Sequence, residues 1–284
     1  MAHSHCRRGE RMSRENDFSV FDRPEVLSIL FHPRKDSGHT PPARAEIHDI
    51  DVGDGIRIGA RLYLTDAALP HILFFHGNGE IAEDYDDMGP VYNAFGLNFL
   101  VADFRGYGRS TGSPGVLSMF SDAHGVMRYF LKWMTENQRT GPLWIMGRSL
   151  GSAPAIDLAV AFPDKTYGLI IESGFAHTLP LLHRLGLHPA AFGGQNTRGF
   201  SNADTLARFS GPTLILHGEY DQIIPVNHAH DLFERSPAPR KKLHIIEGAD
   251  HNTILMVAGR SYFETKVSRF FVDTLRLRRN LYHQ

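Results

Sequence analysis

LWIMGRSLGSAPAIDLAVA, residues 143–161, is the stretch on which the reading of this chain turns. Leu143, Trp144, Ile145 and Met146 form a short apolar run, which suits a strand buried on both faces. Gly147-Arg148-Ser149-Leu150-Gly151 comes next, and then Ala155, Ile156, Leu158, Ala159 and Phe162 recur at helical spacing. Pro154 falls in the first turn or so of that helix, where a missing N–H is tolerated. Strand, G-x-S-x-G, helix is the context in which the motif reads as a nucleophile elbow. Its glycines allow a sharp turn without side-chain clashes, so that the serine hydroxyl stands above the sheet. The helix that starts there aims free N–H groups and its positive dipole end at the same spot. A Gly/Ser turn can also do no more than join a strand to a helix. The deciding point is whether the chain later supplies an acid and then a histidine, each after a strand.

It supplies both. After the apolar run Thr213–Leu216 comes HGEYDQIIP, residues 217–225, and after Leu243–Ile246 comes EGADHN, residues 247–252. The order Ser149, Asp221, His251 therefore places one group in each of three loops beyond strand ends, where groups from different strands meet. A serine hydroxyl is a poor nucleophile near neutral pH and needs a base with an orienter behind it. Rivals exist among 17 histidines and several acids. His217 abuts a strand end, His228 and His230 fall in a helical stretch, and Glu219 and Asp250 are alternative acids. His251 is favoured by its place after the last strand, and Asp221 by its room to reach across.

An oxyanion needs preorganised N–H donors. The backbone N–H of Leu150 is one candidate, and that of Asn78 in His76-Gly77-Asn78-Gly79, after the strand Ile72–Phe75, is the other. A plain Gly-rich turn is the alternative; neither a Walker A pattern nor G-x-G-x-x-G occurs there, which discounts phosphate binding. Asp103 and Arg105, in DFRGYGRS at 103–110, read as braces for loops rather than as reacting groups. No histidine–carboxylate cluster has metal-ligand spacing, and neither a metal nor another cofactor is expected.

The wider chain fits this picture. Its 284 residues carry 30 Lys+Arg against 31 Asp+Glu, a net charge of -1, which gives no electrostatic case for nucleic acid. Cys6 is the single cysteine, so no intrachain disulfide can form. Arg7-Arg8 is not followed by an apolar segment, and no run approaches membrane-spanning length, so a soluble cytoplasmic protein is expected. Residues 1–17 read as disordered and 18–284 as a single domain. A short helix is expected within Phe18–Phe31 and a β-hairpin within Ala45–Leu64, where apolar residues alternate with Arg57, Gly59, Arg61 and Tyr63. Beyond it strands and helices alternate, the mark of a mostly parallel sheet. Helices are expected over Ile81–Phe95, Phe120–Met134, Val226–Phe233 and Ser261–Leu277. Ser173–Phe209 breaks the rhythm: it is too long for an ordinary connection, rich in leucine, and punctuated by Gly193-Gly194.

HGNG at 76–79, DFRGYGRS at 103–110, GRSLGS at 147–152, GEYDQIIP at 218–225 and GADHN at 248–252 together resemble the α/β-hydrolase superfamily. The first two, with Phe31-His32-Pro33-Arg34, are similar to a subgroup of serine hydrolases that holds uncharacterised bacterial proteins and eukaryotic protein depalmitoylases. The resemblance implies an eight-stranded, mostly parallel sheet with helices on both faces and a cap after the sixth strand, here about residues 173–209. It implies a serine hydrolase that cleaves an ester or thioester, with Ser149, Asp221 and His251 as triad and a small-molecule or lipid-like acyl substrate. A peptidase or amidase on the same triad, or a ligand-binding module without catalysis, is the alternative.

Overall fold

A computed structural model of the protein describes residues 18–188, 199–267 and 269–274. Its centre is one eight-stranded sheet in the order β1-β2-β4-β3-β5-β6-β7-β8. The strands are β1 Ala45–Gly53, β2 Ile56–Tyr63, β3 His71–Phe75, β4 Asn98–Ala102, β5 Leu143–Arg148, β6 Gly168–Glu172, β7 Thr213–Gly218 and β8 Lys241–Ile246. β1 and β2 form the expected hairpin, β2 pairs antiparallel with β4, and every later pairing is parallel. β3 lies between β4 on one side and β5 on the other, so the strand order reverses there. Ligand crevices in such sheets form beyond the carboxyl ends of the strands at that reversal.

Alternation along the central strands feeds two cores. Leu73, Phe75, Ile145 and Leu169 face one layer, built on helices α3 Val116–Glu136 and α4 Ser152–Ala161. Ile72, Phe74, Trp144 and Met146 face the other, where Trp144 lies 4.2 Å from the Phe271 ring. Both faces of the central strands are thus dry, which is why these strands read as continuous apolar runs. A short helix, α1 Pro24–Leu30, packs Val26 and Leu30 onto the first layer.

Two expected helices differ in form. Ile81–Phe95 is broken into a 3₁₀ turn, Ala82–Tyr85, and the helix α2 Gly89–Ala94. Pro90 stands at the start of α2, since a proline inside a longer helix would lack its N–H and clash with the preceding turn. The closing segment winds as a π-helix over Tyr262–Val267, and nothing beyond residue 274 is among the described residues. Within the Ser173–Phe209 interval stand α5 Thr178–Arg184 and α6 Asn202–Leu206. Gly193-Gly194 and residues 1–17 lie outside the described residues. Helices α7 Asn227–Arg235 and α8 Ile254–Ala258 complete the set used below. No helix among the described residues is long and apolar enough to cross a membrane.

His71, the first residue of β3, is fully buried with its ring edge-on to Phe130. Burial, and then the positive charge of Arg139, push its pKa from 6.5 down to about 4. The unfolded chain takes up that proton near pH 6.5, so acidification from there to about pH 4 favours unfolding. The expected result is a melting temperature that falls across this window, with up to about 1.4 kcal/mol per pH unit from His71. His71→Gln should flatten the slope, and equal slopes in thermal melts of both proteins would remove His71 as its source.

Candidate active site

Ser149 comes directly after β5 without a loop, in one 3₁₀ turn (Ser149–Gly151) that runs into α4. Its φ is +52°, a left-handed backbone that a residue with a Cβ rarely adopts. The flanking glycines serve clearance. A Cβ on Gly147 would stand 2.2 Å from the Gly151 carbonyl oxygen, and one on Gly151 would stand 2.1 Å from that of Phe75. The strain of the turn, about 1–3 kcal/mol for such a conformation, therefore sits on Ser149 itself.

Three of the residues singled out by spacing come together here. His251 Nε2 lies 3.0 Å from Ser149 Oγ, and His251 Nδ1 lies 2.7 Å from Asp221 Oδ2. All three are buried. The second carboxylate oxygen of Asp221 accepts from the backbone N–H groups of Ile223 and Ile224, at 3.0 and 2.8 Å. Burial alone would raise the Asp221 pKa. Hydrogen bonds from His217 and His251 and the Ile224 N–H outweigh it and hold the carboxyl well below its usual range.

The rivals have other work. His217 Nε2 sits 2.7 Å from the Ile224 carbonyl and 3.2 Å from Asp221, so it supports the acid. His228, in α7, accepts the Ala176 N–H. Glu219 accepts the Gly248 N–H, while Asp250 accepts from Asn252 and Thr253 within its own turn. Arg105 pairs with Asp122, and Asp103 accepts the Ala82 N–H, which makes both of them braces. Among the described residues no group of three or more His, Cys, Asp or Glu could hold a metal ion.

Asn78 and Leu150 line one cavity with Ser149 and His251. The Asn78 side chain is committed elsewhere: its Oδ1 accepts from the Tyr107 hydroxyl at 2.7 Å and the His32 N–H at 2.8 Å, and its Nδ2 lies 2.7 Å from His32 Nδ1. Any contribution of Asn78 inside the cavity is thus through its backbone. The cavity, about 300 Å³, is walled by Leu30 of α1, Met119 of α3, Phe175, Leu181 and Leu185 of the α5 segment, and Ile223.

Spacing along the chain does not single out Arg148, the first of the two variable residues of the elbow. Its guanidinium pairs with Glu80, lies 3.3 Å from Glu172, and donates to the His251 carbonyl at 2.9 Å and to Asn252 Oδ1 at 3.0 Å. A charged residue at the end of a dry strand must find partners. That signal is present in the sequence, though the identity of the partners is not.

The family described as serine aminopeptidase, S33, matches residues 67–182 and 190–255. Human α/β hydrolase domain-containing protein 17B is 29% identical over 193 residues, 64% of this chain and 60% of that protein. The match thus spans about three fifths of that relative's length. Among solved structures, the esterase Pf2001 of Pyrococcus furiosus superposes with a TM-score of 0.67 at 16% identity, over 85% of this chain and 98% of its own. Est1E of Butyrivibrio proteoclasticus, with ferulic acid bound, gives 0.65 at 20% identity, over 81% and 99%. Such likeness at low identity shows a shared α/β-hydrolase fold. The family match runs through the β3 loop, the elbow and the loops after β7 and β8, well over half of the chain. The chain belongs to the serine aminopeptidase S33 family of the α/β-hydrolase superfamily.

Proposed function

We propose that the protein is a serine hydrolase that cleaves carboxylic esters or thioesters through an acyl-enzyme. The observation that carries this reading is Ser149 Oγ, 3.0 Å from His251 Nε2 in the wall of a largely apolar cavity. Ser149 Oγ attacks the acyl carbonyl while His251 Nε2 takes its proton, and Asp221 holds the imidazole with its other N–H inward. The N–H groups of Asn78 and Leu150 receive the developing oxyanion. Collapse of the tetrahedral species expels the alcohol or thiol, protonated by His251. Water, activated by the same base, then releases the acid and regenerates Ser149.

Support for an acyl ester rather than a peptide comes from the cavity wall. An aminopeptidase must hold an α-ammonium group, for which a carboxylate is the natural partner. Among the described residues lining the cavity there is no aspartate or glutamate. Aliphatic and aromatic side chains make most of the wall, beside a few polar groups such as His32, Thr178 and Arg148, the usual composition of a site for an apolar ligand. The ferulic acid bound by Est1E is itself a carboxylic acid, the product class of this reaction.

The 173–209 segment then acts as a cap that selects the acyl chain, because Leu181 and Leu185 form part of the cavity wall. Each methylene buried there contributes about 0.8 kcal/mol, so medium chains should exceed acetyl by about one to two orders of magnitude in kcat/KM. Leu181→Ala with Leu185→Ala should shrink that preference and leave acetyl-ester turnover near wild type. Kinetics across p-nitrophenyl esters of increasing chain length measure it. A selectivity untouched by the double substitution, or a wild-type preference for acetyl, would end the cap reading. Anilides of the same acids, assayed in parallel, give the ester-to-amide ratio, and amide cleavage at comparable rates would return the peptidase reading.

A further inference from the structure

Arg148 lies between the cavity above Ser149 and a second one of about 220 Å³ lined by Glu80, Tyr85, Tyr92, Met146 and Glu172. Arg148 joins three separate pieces of the site. Through its own backbone it precedes Ser149. Through Nη2 it donates to the carbonyl of His251 and to the side chain of the next residue, Asn252. Through Nη1 it pairs with Glu80, whose Oε2 accepts the Gly77 N–H at 2.7 Å and the Tyr85 hydroxyl at 2.7 Å. Gly77 immediately precedes Asn78. The guanidinium packs so closely on Gly77 that a Cβ there would stand 2.6 Å from Arg148 Nη1. Glu172, at the end of β6, faces Nε and is itself held by the Tyr262 hydroxyl.

Stability alone is a poor reason for this arrangement. Desolvating a guanidinium and two carboxylates is costly, and well-packed apolar side chains often replace buried ion pairs without loss. What apolar side chains cannot supply is a set of directed bonds into the histidine loop and the Asn78 loop at once. A planar guanidinium with donors in a fixed fork does so.

We propose that Arg148 is a positioning residue that sets the His251 loop and the Gly77–Asn78 loop in register with Ser149, with Glu80 as its essential partner. The inference rests on the serine-hydrolase reading above. Misplacement of a reacting group by about 1 Å can cost about 10²-fold in rate, and that is the scale expected when the hub is removed.

The test is turnover per active site, counted by end-point labelling with a fluorophosphonate, for Arg148→Met, Arg148→Lys and Glu80→Gln. A purely structural arginine lowers the fraction of protein that labels and leaves turnover per labelled site unchanged. A positioning arginine lowers kcat per labelled site by about 10²-fold in Arg148→Met, with KM for a short ester within about threefold of wild type. Arg148→Lys, which keeps the charge but loses the fork, should recover part of that loss. Where Arg148→Met fails to fold, Arg148→Lys and Glu80→Gln carry the test, each with a smaller fall in the same quantity. Wild-type turnover per labelled site in the folded variants, or a change confined to KM, would overturn the proposal. Failure of the underlying reading looks different: Ser149→Ala would keep its activity, whatever Arg148 does.

Discussion

Ser149→Ala is expected to abolish fluorophosphonate labelling and to lower kcat by about 10⁴-fold or more. Among the described residues that line the cavity, the Ser149 hydroxyl lies within reach of an imidazole whose far nitrogen is already bound to a carboxylate. On the proposed reading alanine removes the nucleophile and leaves the His251–Asp221 hydrogen bond in place, so the residue of activity measures binding and the proposed oxyanion donors alone. The variant should fold, because the φ of +52° strains alanine and serine alike and the clearances at Gly147 and Gly151 do not involve the hydroxyl. Its melting temperature therefore separates loss of chemistry from loss of structure. A folded Ser149→Ala protein that still labels or turns over would sink the assignment.

Much of this site is legible in the sequence because the central strands are dry on both faces. Apolar runs such as Leu143–Met146 and Thr213–Leu216 mark strand positions, and the residues just past a parallel strand land at its carboxyl edge. That logic places Ser149, Asp221 and His251 in loops that the structure brings within hydrogen-bond reach. Asn78 is legible as a loop residue near the elbow, and it lines the cavity with Ser149. Its ties to His32 and Tyr107, 46 and 29 residues away, are not. Arg148 and Glu80 are 68 residues apart, and no local pattern links them. Pairing of that kind depends on which strand ends are neighbours, a property of the sheet order rather than of either segment. The part of α1 in the cavity wall escapes for the same reason. Its amphipathic spacing shows that Leu30 is covered, while only the fold shows that it lines the same cavity as Ser149. The break within 81–95 has a local cause that is visible in the sequence: Pro90 fits the first turn of a new helix and not the interior of a long one.

Asp221→Asn is expected to lower kcat by about 10⁴-fold while the fold persists. The reason is geometric. Asp221 Oδ1 is fixed by the N–H groups of Ile223 and Ile224, so an asparagine keeps its oxygen there and turns its NH₂ toward His251 Nδ1. A donor at Nδ1 selects the tautomer with its proton on Nε2, the nitrogen that faces Ser149, and that nitrogen can then no longer accept the serine proton. The same NH₂ confronts His217 Nε2, now 3.2 Å from the carboxylate, and so removes a second favourable contact. Stability should follow the carboxyl's titration. The folded pKa of Asp221 is depressed, so its stabilising contribution is present above the unfolded value of about 3.9 and is lost as pH falls through the folded one. The melting-temperature gap between wild type and Asp221→Asn should hold steady from about pH 8 down to about pH 5 and close only below about pH 4. Ester hydrolysis and thermal melts over that range measure both effects. Asp221→Asn with near-normal kcat, beside an inactive Asp250→Asn or Glu219→Gln, would mean that a different acid stands behind His251.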